Sequence, residues 1–349
     1  MRDQSLTRRF IWETRLMQAS PLGVAPTSIL IGSMVFATFL FSAWWNDLTL
    51  IVTPDKNPTL SPDVWTAICM SLLWGSIFGL GEYTRVANLV DLQTLRNDGV
   101  AVDAIQFDAL KSGPTRATRI RAQLFGVLGG LSGIVFYNLV YRPDGEMVTL
   151  ATATLTNFWF FGMTIALFVE IFRNLSYLRA DTASLLRDLD HRIRIDFFHI
   201  HRLDGLGRIA LRRALPWAVA SAIVLLMLFA QSSPLFFGPL FGSLMVSAAL
   251  VFGLPMWRVH VLIDRAKNAE LARIRHDMAA ARDVFNADAT VASASYLSAL
   301  LALEQRLEHV REWPLDFSTI VRFGFYLALP LGSWLGGALV ERALNILTR

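Results

Sequence analysis

Formal charge and cysteine are the two scarce materials in this chain. Only 17% of its 349 residues are Asp, Glu, Lys or Arg, and Cys69 is the one cysteine. Soluble domains carry about 25% charged residues, so an ordinary soluble enzyme is excluded by composition. A single thiol excludes an internal disulfide framework and every multi-thiolate metal site. The remainder is 54% hydrophobic, with 24 Phe and 10 Trp, a load that would make a water-facing surface adhesive. These absences and this surplus describe a polytopic membrane protein.

Charge is missing in blocks. None occurs between Arg15 and Asp47, Asp63 and Glu82, Arg121 and Arg142, Glu146 and Glu170, Arg213 and Arg258, or Arg322 and Glu341. A charge at mid-bilayer costs about 2.5–3.5 kcal/mol on insertion scales, and a span needs about 20 apolar residues. The fifth block holds two helices, split at the polar turn before Pro234. The expectation is an all-α protein with seven transmembrane helices near 27–45, 64–83, 121–141, 147–171, 214–231, 234–257 and 319–341. The N-terminal 1–26 reads as an amphipathic segment before a permanent anchor, because the first apolar stretch is too long for a cleavable signal.

Basic residues then set the orientation. Segments 1–15, 82–121, 170–213 and 258–322 hold 28 of the 32 Lys and Arg residues. By the positive-inside rule these face the cytoplasm, with the N-terminus inside and the C-terminus outside, as in a bacterial inner membrane. Trp44, Trp45 and Trp65 fall at the outer edge, and Trp217 and Trp257 at the inner edge, as aromatic belts require. This placement accounts for the net charge of +4 without nucleic acid, for which no binding module is present. The bilayer is the expected partner.

Outside the spans the pattern stays helical. Leu178, Leu185, Leu186, Leu189, Ile193, Phe197 and Ile200 form one apolar face, ended by the Asp204–Gly207 run. A charged helix follows from Arg258 to about Asn286, with a breaker to Thr290. Tyr296, Leu300, Leu303, Leu307 and Val310 then recur at 4-3-4-3 spacing, a two-heptad seam stopped by Pro314. Helices four to seven thus extend into a cytoplasmic bundle through 173–213 and 258–318, around the transmembrane hairpin 214–257. The seam closes either within one subunit or against a second copy as an assembly interface. The segment 84–120 reads as a loop-and-helix connection within the block 27–172, and 319–349 as helix seven and the C-terminus.

Several motifs invite chemistry, and most have a plainer use. Small residues four apart, such as Gly75/Gly79, Gly129/Gly133 and Gly332/Gly336, let helix backbones approach closely. In helix seven Pro330 frees a backbone carbonyl, Ser333 is small and polar, and Tyr326 and Gly337 complete a set of pore-lining candidates. Helix four carries Thr149, Thr152, Thr156, Asn157 and Trp159, either an interhelical hydrogen-bonding stripe or a ligand cavity for a small molecule.

All six histidines lie outside the spans, which removes paired-histidine haem ligation. It also removes a base for the protease-like Gly130–Gly133 run. His199 with Asp204, and His191 with Asp196, have the HxxxxD spacing of glycerolipid acyltransferases, a short motif in a segment rich in both residue types. No metal ligand set and no cofactor are expected. The spans lack a central ionisable residue, which disfavours ion-coupled pumps and voltage sensors but leaves an uncoupled pore.

The combination of seven helices, an inside N-terminus, an outside C-terminus and prolonged helices four to seven resembles the insect odorant/gustatory receptor superfamily. The resemblance covers the topology of the whole chain. Of that family's gustatory pattern in helix seven, Tyr326 and the hydrophobic run Leu327–Leu331 are present; Phe325 and Gly332-Ser333 replace the polar and aromatic flanks. The resemblance implies a homotetrameric cation channel, ligand-gated or constitutive, with helix seven lining the pore and the cytoplasmic helices as anchor. Fold analogy alone does not establish function, so two rivals stay open. One is a non-conducting signalling or scaffold protein that recruits a cytoplasmic partner. The other is a lipid-modifying enzyme.

Overall fold

The structure is a computed structural model that describes residues 12–52, 59–97, 114–140, 154–192, 195–197, 199–227, 234–288, 290–313 and 318–328, with 330, 332 and 336. Helices dominate because each charge-free block supplies about 30 Å of apolar helix, the thickness of a bilayer core. A short helix α1 (Trp12–Ala19) leads into α2 (Val24–Trp45). The Thr27 hydroxyl donates to the Gly23 carbonyl and accepts from Ser20, both at 2.6 Å, which pins the joint. At its far end α2 stops on Asp47 at φ 52°. There the Asp47 N–H donates to Trp44 O and the Leu48 N–H to Ala43 O, a Schellman closure with Asp in the position glycine usually takes.

A two-stranded antiparallel ribbon, β1 (Ile51–Val52) with β2 (Thr59–Leu60), pairs Ile51 with Leu60 and Val52 with Thr59. It delivers the chain to α3 (Pro62–Asn97). α2 and α3 touch backbone to backbone: a Cβ on Gly75 would stand 2.8 Å from Ser28 O, and one on Gly32 would stand 3.0 Å from Ser71 O. α4 (Arg116–Val140) pairs with α5 (Leu155–Arg192), and a Cβ on Gly129 would collide with Phe168 O. The outer face of α4, including Leu124, Val127, Leu131 and Val135, is exposed and suits lipid.

α6 (Asp204–Met227) is the most enclosed helix, between α3 and α7 (Pro234–Ala287). Pro216 inside it removes the donor that Arg212 O would otherwise bind, and the Thr84 hydroxyl of α3 supplies one at 3.3 Å. α7 runs unbroken for 54 residues, about 81 Å at 1.5 Å per residue. α8 (Val291–Glu308) folds back along it after a capping box in which Thr290 and Ser293 exchange hydrogen bonds.

Three apolar clusters follow one another along the molecule. The first, around Phe39, Met70, Phe160 and Val224, lies toward the β-ribbon end, and the second, around Leu95, Ile209, Met256 and Ile263, toward the arginine-rich end. The third, around Leu271, Ile274, Leu300 and Leu307, holds α7 against α8. Six described helices are long and apolar enough to cross a membrane, as an integral membrane protein requires.

Local differences from the sequence expectation have physical causes. The helix of the second span continues to Asn97 instead of giving way to a loop at 84, because Leu92 and Leu95 bury against α6. The Asp204–Gly207 run opens α6 instead of closing the helix before it. Gly205 is small there because a Cβ would meet the Leu95 side chain at 3.0 Å. Trp65 and Trp217 pack on the first cluster instead of standing in aromatic belts, and the Trp65 indole donates to Leu226 O at 2.8 Å. Trp44, Trp45 and Trp257 remain exposed, near the two ends of the bundle.

Candidate functional site

The last helix was the expected pore element. Residues 318–328 are helical, as are 330, 332 and 336. It is held along one face: Phe323 stacks on Phe252 of α7 at 4.0 Å between centroids, and Tyr326 packs on the second cluster. Thr319 and Pro330 are buried on the same side. Opposite them Val321, Phe325, Ala328, Gly332 and Gly336 are exposed, spaced four, three, four and four apart, with Phe325 at 69%. Tyr326 and Pro330, chosen as pore-lining, therefore face their own chain. Periodicity identifies two faces of a helix but not which one finds a partner. Ser333 and Gly337 lie outside the described residues.

The link from α8 to this helix is fastened to α7. Lys267, 7% exposed, directs its ammonium at Glu308 O (2.9 Å), Val310 O (3.3 Å) and Glu312 Oε1 (3.1 Å). The two carbonyls lie at the C-terminus of α8, where the helix dipole favours a cation. Two turns away along α7, His260 stacks on Trp313 at 4.3 Å and 5°, and its Nδ1 donates to Glu312 O at 3.1 Å. Nothing in the sequence pattern linked Lys267 to a segment 45 residues on.

The seam 296–310 closes inside the chain. Leu300 and Leu307 are buried, and Leu303 and Val310 half-buried, against Leu271, Ile274 and Met278 of α7. Tyr296 points away, 56% exposed. The 4-3-4-3 spacing marks the face that α7 of the same chain covers. Arg275 adds charge pairs to Glu304 at 2.7 Å and Glu308 at 3.0 Å.

The helix-four stripe also forms links within the chain. The described helix begins at Leu155, so Thr156 and Asn157 sit in its first turn and not at mid-span. Asn46 donates to Thr156 Oγ1 at 2.8 Å, Thr156 donates to Ser42 O at 3.3 Å, and the Trp159 indole donates to Thr38 at 2.9 Å. Tyr137 reaches Asn157 O at 3.2 Å. These bonds tie α2, α4 and α5 together, the plainer of the two expectations. Thr152 lies outside the described residues.

Ionic pairs collect at the arginine-rich end. Glu82 with Arg85, and Glu170 with Arg173, close at 2.6 Å within single helices. Asp91, a buried acid the sequence gave no reason to single out, accepts from Arg208 at 3.3 Å and from Arg212. Its partners are 117 and 121 residues away, so only the packing of α3 on α6 reveals them. His199 of the HxxxxD motif is bonded through Nδ1 to Asp196 at 2.7 Å, both exposed, and the His191 side chain lies outside the described residues. Among the described residues no three His, Cys, Asp or Glu side chains group as a metal site. Cys69 is buried in the first cluster. No family model, curated protein or solved structure matches this chain.

Proposed function

We propose that this chain is one subunit of an oligomeric membrane channel with seven spans. Its basic end and α7–α8 hairpin face the cytoplasm, its C-terminus lies outside, and its setting is a bacterial inner membrane. The observation that carries this is the one-sided attachment of the last helix. Phe323, Tyr326 and Pro330 hold it to the chain, while Val321, Phe325, Ala328, Gly332 and Gly336 present a second face with small residues toward one end. Around a symmetry axis, that face lines a narrow conduit or seals subunits by close backbone contact. Lys267 and His260 tie the base of this helix to a rigid hairpin, as a pore element that moves as a unit requires.

Two measurements test the proposal together. Particle imaging in nanodiscs should count four or so subunits, and purified protein in liposomes should pass ions. Phe325→Trp, which enlarges the exposed face without touching the packed one, should alter flux at least severalfold. A monomer that is silent in flux assays refutes the channel.

A second reading, a non-conducting scaffold, draws support from exposed apolar residues on the hairpin: Val284, Val291, Tyr296 and Leu301. It predicts a bound cytoplasmic protein that Tyr296→Glu and Leu301→Glu release while flux stays absent.

A further inference from the structure

The joint between α7 and the last helix is built around an imidazole. The His260 ring lies parallel to the Trp313 indole, 4.3 Å between centroids at 5°, and the Trp257 indole stands 5.8 Å away, one turn earlier on α7. The two indoles are 6.2 Å apart and both exposed, whereas His260 is half-buried. Nδ1 of the ring donates to Glu312 O at 3.1 Å. One face and one edge of the same imidazole therefore hold two consecutive residues, 312 and 313, which carry the chain from α8 into the last helix. Nε2 has no partner among the described residues, and half-burial leaves it to water.

A neutral ring in this place is an ordinary stacked aromatic. An imidazolium is held more strongly at every contact. Cations are attracted to an indole face within about 6 Å of its centroid, a condition that both tryptophans meet. A charged donor also makes a hydrogen bond about twice as strong as a neutral one, and here Nδ1 carries a proton in either state. Water accepts the second proton at Nε2 without rearranging the joint.

The surrounding charges act on the ring from further away. On α7, Asp264 stands one turn beyond His260 on the same face, half-buried and bonded to Asn268, and favours the imidazolium; Arg258, exposed, opposes it. In the linker Arg311 is exposed, and the Glu312 carboxylate is bound to Lys267 at 3.1 Å. Arg322 of the last helix is exposed and adjoins Phe323, which stacks on Phe252, two turns before His260. Asp316 lies outside the described residues. Solvent and salt screen the exposed arginines over about 8 Å, whereas Trp313 and Glu312 O touch the ring.

We propose that His260 is a proton-responsive latch. Charged, it clamps Trp313 and Glu312 and tightens the attachment of the last helix to α7; neutral, it loosens them. The clamp is complete at low pH and weakens as pH rises through the range in which histidines lose their proton, about 5 to 8. It acts on the joint whether or not the chain conducts.

Hydrogen exchange of the full-length protein in nanodiscs tests this, with rates expressed as protection relative to the unstructured chain at each pH. Amides of residues 309–313 should gain about threefold to tenfold in protection between about pH 8 and 5.5, the size of a partly exposed cation–π contact reinforced by a charged donor. His260→Phe keeps the stack without the charge, and His260→Gln keeps a donor that does not titrate; both should hold protection within about twofold across that range. Trp313→Leu should do the same, because it removes the indole face and leaves the imidazole able to titrate. His309, exposed with Nδ1 on Gln305 O at 2.8 Å, is the other histidine of this stretch, and His309→Gln should keep the native response. Native protection around Phe39 verifies that each variant is folded. A native protein without the response, or a response that survives in both His260 variants, would overturn the latch. Loss of the response in His309→Gln alone would move the proton to the end of α8 and overturn it equally.

Discussion

Replacing Lys267 by Met keeps the aliphatic stem and deletes only the ammonium, which makes it a clean test of how the last helix is fastened. Two carbonyls of the α8 terminus, Glu308 O and Val310 O, lose a charged donor. Hydrogen bonds to charged groups contribute about 1.5–3 kcal/mol, and a cation at a helix C-terminus about 0.3–1 kcal/mol. The Glu312 side chain is 41% exposed, so its pair with Lys267 is screened and adds about 0.5 kcal/mol at most. Because these contributions overlap, the local loss is about 2–4 kcal/mol, or about 30- to 900-fold in an opening equilibrium.

Hydrogen exchange reads this directly. The Val310 amide donates to Leu307 O at 3.1 Å and the His309 amide to Gln305 O. Both should exchange faster in Lys267→Met by roughly that factor, while the first cluster around Phe39 keeps its protection. Glu312→Gln should change the same amides less than tenfold. Unchanged exchange at residues 309–310 in Lys267→Met would refute the fastening argument, because the carbonyls would have to be satisfied without it.

Other substitutions probe the remaining junctions. Asp91→Asn leaves Arg208 and Arg212 without their anion; with both arginines partly exposed the loss should be about 2–3 kcal/mol, read as a lower melting temperature in detergent. Gly75→Val drives a side chain against Ser28 O and should cost about 1–3 kcal/mol, seen as separation of α2 from α3 in cysteine cross-linking; a cross-linking pattern like the native one would count against the close contact. Asp47→Gly relieves a left-handed residue at the end of α2 and should raise the melting temperature, by an amount equivalent to about 0.5–1 kcal/mol; a decrease would show that the Asp47 side chain matters more than its backbone.

How much of this was legible in the sequence varies with the range of the interaction. Charge-free blocks located the apolar helices well, because the bilayer's penalty acts residue by residue and needs no partner. The breaker expected near 286–290 lies where α7 ends at Ala287 and α8 begins at Val291, since turn chemistry is local too. The 296–310 spacing correctly marked a buried face, yet it held no information on which helix would cover it. The basic residues of 82–121 made 84–120 read as a cytoplasmic loop-and-helix connection; the long-range pairs of Asp91 with α6 are invisible to a helical period. Tyr326 and Pro330 share a face by spacing, and only the stack of Phe323 on Phe252 reveals that this face looks inward.

The unbroken course of α7 has a mechanical consequence. Its charged stretch from Arg258 to Ala287 is about 45 Å long. With α8 packed along it, this stretch would turn as one body in any tilt of α7 at the level of the paired rings of Trp257 and Trp313. A tilt of about 10° at that level would carry the far tip through about 8 Å. The linker at Glu312 rides on this stretch within one turn of that level, so the same tilt would turn the base of the last helix while scarcely translating it.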